Sequence, residues 1–498
     1  MSTNSESTPA ILELDQAIES FRDEVATLLD PTQEENWDGI KLKGKEQEIL
    51  EAGLQLAGHC TAILTHRLCM SESVKVDAEL RAIGKAGLDY SREGFRDVTI
   101  TLVGNVQVKV STPYKLARNR KKRSGRKQKH GKRGKSKGQG FYPVLQLLGI
   151  DKGLSPLVRC RVSQAATQLP SFEQAKQIVD WLGLGFNAER IRKVSERFCQ
   201  IGLAVREARL TRLAEGTLPA GEVLKGKRVA IAVDGGRMKI RRTYRRGRKR
   251  KSGWPGYDSN WREPKLLTIY VLDEDGHKMT GPDIPLINDG TLGELDEFLE
   301  ILRLYLHELG IAQAEVVVLT GDGAPWIWKN IPSLLLELGC RPEQIVQVLD
   351  RPHAVEHISQ LAEALFGETD KAKSWAKKWT KKLKTGQSQA LIAEIQRRLT
   401  GEKVHNLDEA QKEYGYFHRH HVSGRLDYAR FKAQKLPCGS GAVESLIRQV
   451  VNLRLKSNGM HWLRENGEAF LHARCQWAAH QWSDFCNGIL TFGLSPPG

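Results

Sequence analysis

Three acids in this 498-residue chain have neighbours that suit metal chemistry: Asp234, Asp322 and Glu444. Asp234 ends the apolar run Arg228-Val-Ala-Ile-Ala-Val233 and is followed by Gly235-Gly236. Asp322 comes after Glu315-Val-Val-Val-Leu319 and Thr320-Gly321, and Gly323 follows it. Glu444 stands just past Gly439-Ser440-Gly441, at the head of an amphipathic stretch. Convergent carboxylates hold Mg²⁺, a hard cation that takes oxygen ligands and keeps several waters. Two such ions about 4 Å apart activate an attacking oxygen and neutralise a leaving one, as phosphodiester cleavage requires. Glycine after each Asp leaves room for a phosphate backbone. Each acid alone has a plainer reading. An Asp that ends a strand commonly forms a turn. Glu444 can pair with Arg448 at i+4 or favour a helix N-terminus.

The elements around these acids give them a common place. Arg228–Val233 reads as a strand buried on both faces. Met238–Arg242 reads as a second extended piece and Leu266–Leu272 as a third strand. A helix is expected over about 292–309, a strand over 315–319, a helix over about 326–338 and a last strand over 345–349. Three meander strands followed by βα crossovers predict a mixed α/β sheet with flanking helices, the element order of the RNase H-like fold. Its first and fourth strands are neighbours, so Asp234 and Asp322 would converge at their carboxyl ends, where ligands of open sheets gather. Residues 354–435 read as a polar helical insertion. A final helix, Val443 to about Leu455, buries Val443, Leu446, Ile447, Val450 and Val451 on one face and supplies Glu444.

The remainder is organised differently. Residues 1–90 read as an α-rich N-terminal region, with helical spacing over Ile11–Leu29 and Glu46–Leu68. Residues 91–145 hold a β-hairpin, Val98–Val110 around Gly104-Asn105, and then a basic arm. From Lys115 to Lys137 the composition is nearly all Lys, Arg, Gly, Ser and Gln, which forms no core. Residues 146–222 read as helical, with at least two helices in Ser171–Leu210; a small DNA-binding unit and a plain bundle both fit.

Charge points to the partner. Seventy-six Lys+Arg against 59 Asp+Glu leave a net charge of +17, as expected of a protein that meets a polyanion, nucleic acid first. Basic clusters lie at 115–137, 237–251 and 371–384. Arg120, Lys121, Lys122, Arg123, Arg237, Arg245, Arg246, Arg248, Lys249, Arg250 and Arg448 are the candidate DNA contacts. Such contacts release counterions and position DNA without reading its sequence. Trp254, Tyr257 and Trp261 either stack on unpaired bases or cap the sheet. Trp326 and Trp328 read as core behind Asp322. The eight cysteines include no C-x-x-C pair, so neither a zinc ribbon nor a disulfide framework is expected. No signal peptide and no membrane-length apolar run is evident, which predicts a soluble, cytoplasmic protein.

Longer motifs carry a family resemblance. AVDGGRMKI (232–240), WREPKLLTIYVLD (261–273), GDGAPWIW (321–328), VLDRPHAVEH (348–357) and LPCGSGAVESLIRQVVNLRLKSNGMHWLRENGEA (436–469) resemble the ISKra family of bacterial insertion-sequence transposases. The resemblance spans roughly 90–480. It implies a DDE mechanism in an RNase H-like core, 223–353 and 436–480, interrupted by the helical insertion. By motif it implies Asp234, Asp322 and Glu444 as catalytic metal ligands, with Mg²⁺ or Mn²⁺ as cofactor. It also implies partners: double-stranded DNA at the transposon ends and at the target, and further copies of the chain as a dimer or larger assembly. Asp350-x-x-His353 resembles a motif of the wider Mutator-like transposases, where it lies beside the active site. His353 would then touch the scissile phosphate or orient a metal-bound water; a capping or core histidine is the other reading. Where many family members carry a cysteine-rich segment, this chain has its Lys/Arg-rich run, so zinc is not expected there.

Two motifs pull elsewhere. His353-Ala-Val-Glu356-His357 fits the inverted zinc-peptidase pattern, with two histidines at i, i+4 and a glutamate base. It leaves Asp234, Asp322 and the basic clusters without a purpose. Ser440 lacks the nucleophile-elbow spacing and reads as a helix cap near Glu444. The chain is therefore expected to be an active transposase of the bacterial cytoplasm, acting at the nucleoid. A transposase-derived DNA-binding protein without catalysis is the alternative, and the zinc peptidase a remote one.

Overall fold

A computed structural model describes residues 13–34, 36–84, 89–117, 140–241, 259–401, 403–456 and 459–495. Arg120, Lys121, Lys122, Arg123, Arg245, Arg246, Arg248, Lys249, Arg250, Trp254 and Tyr257 lie outside the described residues. Two compact units divide the chain. One runs to Gly202 and resumes at Ser483; the other is Leu203–Trp482.

The first unit opens with helices α1 (Leu14–Leu28), α2 (Gly39–Met70) and α3 (Glu72–Arg81). Asp38 caps α2 by accepting from the backbone of Ile40 and Lys41 at 2.9 and 2.8 Å, so the helix starts well before Glu46. The expected hairpin is present as β1 (Tyr90–Thr101) and β2 (Gln107–Ala117), with Val98 opposite Val110. Gly104 and Asn105 turn it at φ +64° and +56°, the left-handed pair that a tight hairpin demands. β2 continues through Lys115, which pairs with Phe141 of β3 (Gly140–Phe141). The basic arm thus starts later than composition indicates. Helices α4 (Pro143–Leu147), α5 (Pro156–Gln168), α6 (Phe172–Asp180) and α7 (Ala188–Ala214) follow, and the division between units falls inside α7.

The second unit is built on one mixed sheet. Its strands are β4 (Arg228–Gly235), β7 (Lys265–Leu272), β8 (Leu286–Thr291), β9 (Val316–Gly321) and β10 (Ile345–Leu349), in the order β10-β9-β4-β7-β8. β4, β7 and β8 pair antiparallel; β9 and β10 run parallel to β4. Both faces are covered, which is why β4 is apolar throughout. Val229, Ile231 and Val233 point to α8 (Leu295–Leu309) and α9 (Pro325–Glu337). Ala230 points to the other face, which is covered by α10 (Arg351–Phe366), α11 (Asp370–Lys384), α12 (Ser388–Gly401), α13 (Leu407–Val422) and α14 (Tyr428–Ala433). These five helices make up the expected helical insertion.

Three expectations need correction. Met238–Arg242 is not a strand of this sheet: β5 (Met238–Arg241) pairs with β6 (Ser259–Arg262) in a separate ribbon. The third sheet strand is β8, Leu-Ile-Asn-Asp-Gly-Thr, whose Asn-Asp-Gly resembles a turn. The helix carrying Glu444 is neither uniform nor final. It runs as α15 (Gly441–Ile447) and then a π-helical segment, Arg448–Leu455. The buried Arg474 donates to the Val450 and Gln449 carbonyls of that segment, a partner for backbone that the wider turn leaves short of donors. Its apolar face is buried as expected, with Ile447 half-buried. α16 (Arg464–Ala478) and α17 (Trp482–Thr491) follow it. Among the described residues, no helix is long and apolar enough to cross a membrane. All eight cysteines are free.

β8 tolerates Asp289 because its buried carboxylate is met on every side. Tyr305 Oη donates to it at 2.7 Å, the His472 ring nitrogen lies at 2.9 Å and Arg206 at 3.3 Å. Burial alone would raise this carboxyl, but the charges of His472 and Arg206 and the two hydrogen bonds hold it far below the usual range. Removing one partner of such a buried pair costs about 3–5 kcal/mol. Asp289→Ala should therefore lower unfolding free energy by that much in urea titration, and a loss below about 1 kcal/mol would show the network to be ornamental.

Candidate active site

β4 and β9 are parallel neighbours with Ala232 opposite Thr320. Asp234 and Asp322 each stand two residues beyond that pair, so both leave the sheet at one end, from strands about 4.8 Å apart. Each uses one oxygen locally. Asp234 Oδ1 accepts from the Gly235 N–H at 2.6 Å, and Asp322 Oδ1 from the Ala324 N–H at 2.9 Å. Trp328 Nε1 holds the Asp322 carbonyl at 2.9 Å. Trp326 and Trp328 are partly buried against the core, as expected. Gly323 is required by contact rather than by φ, since a Cβ there would collide with the ring of Tyr416 from α13.

Glu444 comes from the third direction. α15 packs against β4 and β7 and carries Glu444 exposed in its first turn. Ser440 stands at the N-cap, but its hydroxyl makes no backbone cap. It donates instead to Glu444 Oε1 at 3.0 Å, so it orients the acid rather than the helix. Arg448 is exposed one turn further on.

A buried hydrogen-bonded centre joins these pieces. Asp350 caps α10 by accepting from the His353 N–H at 3.0 Å, and the same oxygen takes His353 Nδ1 at 2.6 Å. Its other oxygen accepts from the Ser440 N–H at 2.5 Å. The Asp350 N–H donates to the Gly321 carbonyl at 2.8 Å. Burial works against the Asp350 anion, yet the bonds from His353 and Ser440 hold its carboxyl below the usual range. The His353 ring is pushed up to about 9 by its bond to Asp350 and by the charges of Asp350, Asp322 and Asp234. Asp350, rather than His353, makes the cap.

Electrostatics tie the acids together. Burial pushes the Asp234 carboxyl up to about 6, and the like charges of Asp322 and Glu444 add to the rise while His353 opposes it. Asp234, Asp322, Glu444 and His353 therefore lie near enough to feel one another's charge. Among the described residues, the metal-ligating atoms that approach within 4.8 Å of one another belong to Asp350, His353 and Glu444. Asp350 has both oxygens engaged and His353 has given up Nδ1, so this trio is a hydrogen-bonded support rather than a cage. The free carboxylate oxygens are those of Asp234, Asp322 and Glu444. Three oxygen donors with waters completing the shell suit Mg²⁺ or Mn²⁺, and a divalent cation would relieve the repulsion that raises Asp234.

The remaining candidates lie apart from these contacts. Arg237 is exposed just beyond β4, and Trp261 is 53% exposed on the β5–β6 ribbon with Lys239 Nζ 5.3 Å from its ring centre. No group of metal-ligating atoms among the described residues joins His353 to His357, and Glu356 is exposed. Sequence reasoning missed the Ser440–Glu444 bond, Tyr416 against Gly323, and the pair His357–Glu413, at 2.7 Å. Only the unusual density of His and Tyr in 414–421 hinted at the last two. No protein-family model and no curated protein matches the chain.

Two measurements test this geometry. His353 has a folded value above its unfolded one, so the stability it contributes is fully present below about 6.5 and lost as pH rises through about 9. In NMR titration of the metal-free protein His353 should titrate near 9. In Asp350→Asn it should fall by at least about one unit, the size a neighbouring charge commonly contributes; an unmoved value would remove Asp350 as its partner. Asp234 becomes anionic only above about 6. Mn²⁺ affinity should accordingly tighten as pH rises through that value and then level off, and Asp234→Asn should bind weakly without the rise. Affinity that is flat across that window in the wild type would contradict the arrangement.

Proposed function

We propose that this chain is a DDE transposase of the ISKra type, cutting and joining DNA at the ends of a bacterial insertion sequence. The observation that carries the reading is the placement of Asp234 and Asp322 at one end of adjacent parallel strands, with Glu444 on α15 packed against β4. The strand order β10-β9-β4-β7-β8, three antiparallel strands continued by two parallel ones, supports an RNase H-like core. The helical insertion between β10 and α15 supports the same family. The charge of +17 supports a DNA partner.

Mg²⁺, when bound by the three acids, supplies an activated oxygen nucleophile and neutralises charge on the leaving oxygen. The chain supplies the rest. Asp234 and Asp322 anchor their spare oxygens on a rigid sheet end, and Ser440 fixes the rotamer of Glu444. His353, held cationic by Asp350, places a proton-bearing edge beside the acids, suited to the scissile phosphate. Gly235 and Gly323 keep the sheet end open to a sugar–phosphate backbone. Double-stranded transposon-end and target DNA are the proposed substrates, bound by a homodimer or larger assembly in the bacterial cytoplasm.

Purified protein should cleave a duplex carrying the inverted repeats that flank the reading frame, and only with Mg²⁺ or Mn²⁺. Asp234→Ala, Asp322→Ala and Glu444→Ala should each lower the rate by more than about a thousandfold, the upper range for losing one charge-stabilising group. Binding of the duplex should change little. Full cleavage by any of the three would exclude that residue from catalysis. Tight specific binding by the wild type without cleavage would favour the non-catalytic DNA-binding protein.

A further inference from the structure

His357 repeats the construction of His353 one turn further along α10. Its Nδ1 lies 2.7 Å from Glu413 Oε2, as His353 Nδ1 lies 2.6 Å from Asp350 Oδ2. Both carboxylates are buried, at 1% and 0% side-chain exposure, while the two rings keep 29% and 31%. A carboxylate is desolvated at several kcal/mol unless hydrogen bonds compensate, so burying Glu413 behind a half-open ring calls for a reason. The ring is further fixed by stacking on Tyr416, with centroids 3.8 Å apart and planes 21° from parallel. Tyr416 in turn lies against Gly323, next to Asp322. His357 is thus held on two sides, while part of its side chain stays exposed.

We propose that His357 is a second phosphate-binding residue, whose Nε2–H holds the phosphodiester adjacent to the scissile one. The inference rests on the DDE reading and deepens it. Residues i and i+4 share a helix face, with about 6 Å of rise between them. Neighbouring phosphates of one strand cover a similar span. With each Nδ1 committed to a buried carboxylate and each side chain partly exposed, the two rings form a rail that begins at the acids and leads along α10. Glu413 orients the ring by engaging Nδ1, which leaves Nε2 to meet the phosphate. The H-x-x-E-H spacing follows from this rail, with no need of zinc.

The test is a neutral-linkage scan of binding, done with Ca²⁺ so that no cleavage intervenes. The probe is the flanking-repeat duplex carrying one methylphosphonate, moved linkage by linkage from the scissile position. The wild type should lose roughly tenfold in affinity at the scissile linkage and again at its neighbour, each an ordinary loss for one charge-assisted contact. His357→Ala should bind the unmodified duplex about tenfold more weakly, with a salt slope shallower by about 0.9. It should be indifferent to methylphosphonate at that neighbouring linkage alone. Glu413→Gln, which keeps the volume, should blunt the same linkage less. An unchanged scan in folded His357→Ala overturns the proposal, and so does one stoichiometric zinc in the wild type that is lost in His357→Ala. The DDE reading fails separately, by undiminished Mg²⁺-dependent cleavage in Asp234→Ala.

Discussion

Asp350 is fully buried, and its two oxygens accept from the His353 N–H, the His353 ring and the Ser440 N–H. The bond to Ser440 spans 90 residues of chain. Five helices lie between its ends, and closing a segment of that length costs entropy that grows only slowly with length. A single strongly held closure can therefore accommodate a large insertion. The same carboxylate reaches the acids. Through Ser440 it sets where Glu444 stands, and through its own N–H on the Gly321 carbonyl it sits beside Asp322. A hydrophobic core defines the sheet, but this buried anion brings the returning chain to the end of the sheet where Asp234 and Asp322 stand.

Charge balance follows from that placement. Burial raises the Asp234 carboxyl, and the like charges of Asp322 and Glu444 raise it further. His353 offsets part of the repulsion because Asp350 keeps it cationic. His353 thus places a proton-bearing group beside the acids. Burying Asp350 away from the acids' shared space also matters. An open fourth carboxylate would add to the repulsion, whereas a fully hydrogen-bonded one does not.

Much of this was readable in the chain, and the rest failed for identifiable reasons. β4 and β9 are short apolar runs that end in Asp-Gly, so their burial and the location of two acids followed from local pattern. Glu444 did not, because its position depends on a helix that returns after the insertion; motif resemblance rather than periodicity singled it out. β8 was missed because Asn288, Asp289 and Gly290 look like a turn, and what makes them a strand is remote: Tyr305, His472 and Arg206 converge on Asp289. Met238–Arg241 has strand composition and is a strand, but its partner is Ser259–Arg262, and pairing is not a local property. Ser440 has the right type for a cap, yet its hydroxyl turns to Glu444, four residues on.

The insertion is more than a spacer between the second and third acids. α13 sends Tyr416 against Gly323 and Glu413 beneath His357, so one wall of the site is built from residues whose own helix lies far along the chain. Those contacts explain a glycine that no backbone angle requires, because its missing Cβ is the space the Tyr416 ring fills. They also mean that the loop after Asp322 cannot move without moving the insertion. Displacing this loop would mean shifting α13 against a core containing Phe417, Tyr428 and Phe431. Interiors packed that densely resist gradual deformation. The sheet end, the α10 histidines and α13 therefore behave as one rigid wall.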